Sequence, residues 1–150
     1  MPDIRFYHLE RQPLVEALPR LMAKVMEAGL RAVIKCPDED TLRVLDKALW
    51  DFDPHAFLAH DVAGCPQPEA QPIYLTLDDE NPAGASVLVL VDAAECSEWP
   101  DGYDRCLYMF DGRNEAIVAK ARSDWKRFKD MDMPMSYWQQ PLSGGWEQKA

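Results

Sequence analysis

Apolar blocks of strand length alternate along this chain with stretches of helical spacing, and the alternation predicts the elements one by one. Ile4-Arg5-Phe6-Tyr7-His8-Leu9 is β-rich and partly alternating, which predicts a first strand. Leu14, Leu18, Leu21 and Val25 then recur at helical spacing, Ala17, Met22 and Met26 widen the stripe, and Gly29 is placed to end the helix. Pro19 falls inside this pattern and removes a backbone donor, so a kink, or a helix that starts near it, is expected. Arg31 to Cys36 predicts a second strand. From Pro37 and Asp38 a second helix is expected, with Leu42, Leu45 and Leu49 facing one way, ending near Trp50.

Residues 51–72 hold Pro54, Pro66, Pro68, Pro72 and Gly64, which predicts a long connection with little regular structure. Ile73 to Leu77, Val87 to Val91 and Cys106 to Phe110 complete five strands. Val87 to Val91 is apolar on both faces, as a central strand of a covered parallel sheet must be. Asn114 is a suitable N-cap for a last helix running through Lys129, and the aromatic, proline-containing tail MPMSYWQQPLSGGWEQKA is expected to pack across the surface. The order predicts an α/β fold, a three-layer α/β/α single domain over residues 1–150 with a mainly parallel sheet of about five strands. It is Rossmann-like in order but lacks a nucleotide-binding motif: neither G-x-x-x-x-G-K-[ST] nor G-x-G-x-x-G follows a strand, and His8 to Pro13 has no glycine. No cofactor is expected.

At 150 residues and 47% hydrophobic, the chain suits one globular domain. No stretch reaches the roughly 18 apolar residues of a membrane span, and MPDIRFYHLE lacks the basic-then-apolar pattern of a secretion signal, so a cytoplasmic location is expected. Cys36, Cys65, Cys96 and Cys106 contain no C-x2-C pair and read as scattered reduced thiols, not a metal site. Asp38-Glu39-Asp40, Asp78-Asp79-Glu80 and Asp51 with Asp53 lack the calcium-loop pattern and read as helix N-termini and solvated turns.

Charge changes the picture most. The chain carries a formal −10, yet Lys120 to Lys129 holds Lys120, Arg122, Lys126, Arg127 and Lys129 against Asp124 alone, a net of +4 that leaves −14 on the other 140 residues. So low an overall charge opposes general binding to a phosphate backbone. The island instead suggests an acidic partner. On a helix Val118, Arg122, Trp125 and Lys129 share a face with Lys126 adjacent, while Ile117, Ala121 and Phe128 mark a neighbouring face suited to the core. A solvated helix with a snorkelling tryptophan is the plain alternative; cations around a Trp could also hold a carboxylate and a ring together. Trp50, Phe52, Phe57 and Leu58 form a second aromatic concentration, core by default and a protein-binding patch if exposed. His8, His55 and His60 accompany no nucleophile signature and read as structural.

FYHL (Phe6 to Leu9), LDKALW with FDPHAFLAH (Leu45 to Trp50, Phe52 to His60), the basic helix and YWQQPLSGGWEQKA (Tyr137 to Ala150) together resemble the chi subunit family of bacterial DNA polymerase III. The resemblance covers almost the whole chain in order. It implies no enzyme but an accessory subunit of the clamp-loader complex, which binds the acidic C-terminal tail of the single-stranded-DNA-binding protein. That tail ends in an aromatic residue bearing the terminal carboxylate, preceded by aspartates. The resemblance places the tail-binding arginine at Arg122, the aromatic residue, usually tyrosine, at Trp125, and the next lysine at Lys126. A further basic position falls on Val118, a departure that Lys120 or Lys129 would have to offset. The family's interface for a second partner, the psi subunit or a helicase relative, falls on Trp50 and Phe57 with Leu58 nearby and His60 beyond. Ala59 departs from the proline expected before that histidine. Two other readings compete: a small α/β enzyme working through His8 or His60, favoured by a cleft that sets a histidine beside a cysteine or carboxylate, and direct single-stranded-DNA binding through the basic helix.

Overall fold

The computed structural model describes residues 3–10, 12–51, 60–92, 94, 103–140 and 146–149. Among them one sheet runs through the middle, built from β1 (Asp3–Leu9), β2 (Ala32–Lys35), β3 (His60–Val62), β4 (Ile73–Thr76), β5 (Val87–Val91), β6 (Arg105–Asp111), β7 (Met135–Gln139) and β8 (Glu147–Gln148). Its spatial order is β3-β4-β2-β5-β6-β1-β7-β8. Every neighbouring pair is parallel except β7 with β8. The five expected strands are all present, and the α/β class holds, but the sheet has eight strands rather than about five. The three additions are short or polar, and pairing with a neighbour is what makes them strands. His60–Val62 lies on β4 inside the expected irregular connection, and Met135–Gln139 of the tail joins the edge beside β1.

Three helices cover the sheet: α1 (Leu14–Glu27), α2 (Glu39–Asp51) and α3 (Glu115–Asp130). From β1 through β2 to β3 the chain moves one way across the sheet; from β6 over β1 to β7 it moves the other way. Right-handed crossovers therefore place α1 and α2 on one face and α3 on the opposite face. The two apolar layers follow: Leu18, Met22, Leu45 and Leu49 pack with Ile34, Leu75, Val89 and Met109 on one side, and Ala121 and Phe128 with Phe6, Leu88, Tyr108 and Phe110 on the other. Central β5 is buried along its whole length because both faces are covered.

The helix termini follow the sequence closely. α1 begins at Leu14 and runs through Pro19 instead of starting at it. The missing donor leaves the carbonyl of Val15 without its usual helical partner, a cost offset by burial of the Pro19 ring in the first layer. Its end is a Schellman turn: Leu30 N–H donates to the Val25 carbonyl at 3.0 Å, Gly29 N–H to Met26 at 2.9 Å, and Gly29 takes φ +74°, which only glycine adopts without strain. Asp38 caps α2, its carboxylate accepting from Thr41 N–H at 2.7 Å.

Candidate functional site

The site grows from α3. Asn114 caps it as expected, its side-chain oxygen accepting from Ala116 and Ile117 N–H at 3.0 and 3.2 Å. Ala121 and Phe128 are buried in the layer beneath. Phe128 fixes the helix by its edge contact with Phe6, ring centroids 6.2 Å apart. Val118 and Trp125 are half-buried at the flank of the same layer. Val118, where the resemblance places a cation, is thus an aliphatic group that packs.

Asp124 sorts the basic island, which the sequence alone did not reveal. Its carboxylate is 4% exposed and accepts from the buried Tyr108 hydroxyl at 2.6 Å and from Lys120 Nζ at 2.7 and 2.8 Å. Arg127 approaches it at 3.4 Å and lies over the Phe128 ring. A buried carboxylate needs such partners, and two of the five cations are spent on it. Burial and this hydrogen bond push the Tyr108 hydroxyl far above its ordinary range, so it stays a donor. Arg122, Lys126 and Lys129 are exposed and make no ion pair among the described residues. Arg122 and Lys126 are one turn apart and Trp125 lies between them in sequence, so the three share a face; Lys129 extends it one turn further.

The floor beside that face comes from the strands. Trp125 meets Phe6 and Tyr137 edge-on, at 5.1 and 5.8 Å between centroids. The Tyr137 hydroxyl lies 2.5 Å from His8 Nδ1, and the His8 ring stacks on Phe110 at 4.8 Å. A Tyr137 donor requires the tautomer with the proton on Nε2. Among the described residues that Nε2 has no hydrogen-bond partner, Glu10 Oε1 standing 3.5 Å away, within ion-pair reach only. It also presses on Gly112, where an added Cβ would lie 1.9 Å from it, so this turn has room only for glycine. Burial holds the His8 pKa below the usual imidazole value; Glu10 opposes that and the Arg122 charge reinforces it. Burial also raises the Tyr137 hydroxyl, with Arg122 acting against it. Arg122 is thus electrically coupled to His8 and Tyr137, two residues separated by 129 positions. Nothing in the sequence joins them to the basic helix; β7 alongside β1 does so.

On the opposite layer Trp50, at the end of α2, is 57% exposed and rests on the His60 ring, centroids 4.8 Å apart. The His60 side chain is itself wholly covered, its Nε2 2.9 Å from Asp46 Oδ1. This is a histidine beside a carboxylate, but its ring is covered rather than open to a cleft. Phe57 and Leu58 lie outside the described residues. Burial pushes the Cys36 thiol up to about 12, which makes it inert at neutral pH. Among the described residues no cluster of His, Cys, Asp and Glu could hold a metal, and no helix is long and apolar enough to cross a membrane.

The family model described as DNA polymerase III chi subunit, HolC, matches residues 1–136. A curated relative, "Probable DNA polymerase III subunit chi" of Rickettsia prowazekii (strain Madrid E), is 32% identical over 98 residues, 65% of this chain. The matched region spans 59% of that relative's length.

Proposed function

The chain belongs to the DNA polymerase III chi subunit family, and on that footing we propose that it is a non-catalytic, cytoplasmic accessory subunit linking the clamp-loader complex to single-stranded-DNA-binding protein through that protein's acidic C-terminal tail. One observation carries the reading. In a protein of net charge −10, Arg122 and Lys126 stand exposed and without ion pairs among the described residues, beside half-buried Trp125, while Asp124 occupies Lys120 and Arg127. Arg122 and Lys126 hold the terminal carboxylate or the aspartates before it. Trp125 and Tyr137 offer the apolar surface for the terminal ring. Lys129 supplies a further cation along the same helix, in place of the one missing at Val118. Lys120 is not the substitute, since Asp124 engages it.

Each charged contact contributes about 1 kcal/mol, which suits a micromolar, salt-sensitive complex. Calorimetric titration of a tail peptide is the test. Arg122→Ala is expected to weaken binding roughly fivefold or more; equal affinity for wild type and variant, or no binding to either, overturns the reading. A second partner, the psi subunit or a helicase relative, docks on the surface that Trp50 dominates, with Phe57 and Leu58 as further contacts. His60 supports Trp50 from beneath rather than meeting the partner itself.

A further inference from the structure

On the layer opposite α3 a hollow of about 360 Å³ opens between the C-terminal half of α1 and the N-terminal ends of β1 and β6. Its lining is mostly apolar, aliphatic and aromatic together, Leu107 among it, with Trp138 and Trp146 as walls and Arg5, Lys24 and Arg105 at the margin. A second hollow of about 380 Å³ shares Leu21, Lys24 and Trp146 with the first and adds Arg20 and Glu27, so the two form one groove along α1. That volume is within the range of roughly 300–1,000 Å³ typical of ligand sites.

The walls are held by contacts within the fold. Trp138 lies nearly parallel to Tyr7 at 6.3 Å, and Trp146 meets Tyr7 edge-on at 4.9 Å. The Trp138 N–H donates to Ser136 Oγ at 2.9 Å, and the Arg5 guanidinium stands 6.0 Å from the Trp138 ring centre. Four cations line the groove against one lining carboxylate, Glu27, in a chain of net charge −10. Outside the lining, Asp3 serves both arginines, at 3.2 Å from Arg5 and 3.8 Å from Arg105. The Arg105 Nε is shut off from solvent yet finds no hydrogen-bond partner among the described residues, so a donor is already desolvated at the rim.

We infer that this groove is a second protein-docking site, which takes a short acidic peptide segment carrying bulky apolar side chains. The apolar side chains enter beside Leu107 and the tryptophans, and flanking carboxylates meet Arg5, Arg105 and Lys24. A peptide fits better than a nucleic-acid strand, because a phosphate at every residue would be repelled by the rest of this acidic chain. The groove and the Arg122 face lie on opposite sides of the sheet, so both can be filled at once. The inference does not depend on what Arg122 binds.

Titration of the 15N-labelled full chain with acetyl-Asp-Asp-Leu-Phe-Asp-Asp-amide tests it, with the Trp125 indole and the Arg122→Ala variant reporting separately on the α3 face. Saturable shifts of the Trp138 and Trp146 indole signals are expected. They should weaken at least tenfold in Arg5→Gln/Arg105→Gln, and severalfold in Lys24→Gln, where the exposed side chain leaves folding unaffected. Arg122→Ala should leave them unchanged, and the same peptide with Asn for Asp should bind at least tenfold more weakly. Equal binding of the two peptides, shifts confined to the Trp125 indole, insensitivity to the arginine and lysine substitutions, or stronger shifts with a thymidine hexanucleotide would each overturn the inference.

Discussion

Asp124 decides at the residue scale what the basic helix can offer. Removing its charge should release Lys120 and Arg127 while leaving the Tyr108 hydroxyl a weaker acceptor. Asp124→Asn is therefore expected to destabilise the fold by about 2–3 kcal/mol in urea denaturation, and Tyr108→Phe by only about 1 kcal/mol, since it removes the donor but keeps the two cations. His8 gives a pH signature. Its folded pKa is depressed, so the folded state prefers the neutral ring; the associated stability is complete above the unfolded value near 6.5 and is lost as pH falls toward the folded one. Denaturation between pH 7.5 and 5 should show wild type losing more stability than His8→Gln. Gly112→Ala should disrupt the same contact at neutral pH, because its Cβ would occupy the place of His8 Nε2. Arg122 and the Asn114 cap were legible in the sequence from residue type and spacing. The Asp124 clamp and the His8–Tyr137 pair were not, because each depends on partners brought from another element.

α3 illustrates at the element scale how much local pattern fixes. Asn114, the apolar positions Ala121 and Phe128, and the basic last turn with Arg127 and Lys129 all agree on one helix in one orientation. Asn114→Ala should cost about 1 kcal/mol of stability by chemical denaturation. It should leave tail-peptide affinity almost unchanged, because Arg122 lies two turns beyond the cap. α1 shows where local pattern misleads. Pro19 counts against a continuous helix from Leu14, yet tertiary burial of Leu14, Ala17 and Leu18 before it and of Leu21 and Met22 after it outweighs one lost hydrogen bond. β7 shows the converse. Met135–Gln139 is half-buried along its length and has no apolar alternation to announce it, so its identity rests on the parallel ladder with β1.

The sheet keeps two surfaces apart across the whole molecule: the α3 face with Arg122, and the α2 end with Trp50 on the other layer. Sites with no shared partners combine additively to within about 0.3–0.5 kcal/mol. Trp50→Ala, at an exposed side chain, should therefore leave both stability and tail-peptide affinity near wild type, and the double variant with Arg122→Ala should bind the tail no more weakly than Arg122→Ala alone, as calorimetry of the four proteins would show. Coupling of 1 kcal/mol or more would mean that the layers communicate. Such separation is what the proposed connector role requires, since one partner would be held without disturbing another.

By itself the sequence determined the α/β class, five core strands, three helices and the cationic face around Arg122. These follow from hydrophobic period, capping residues and charge density, all properties of neighbours in the chain. The tertiary structure alone decided which cations stay available, that Tyr137 and His8 border the same face, that His60 is covered while Trp50 is not, and that the sheet extends to eight strands. Those outcomes depend on what is buried against what, and burial sets the cost of a charge or an unpaired donor only once distant segments have met.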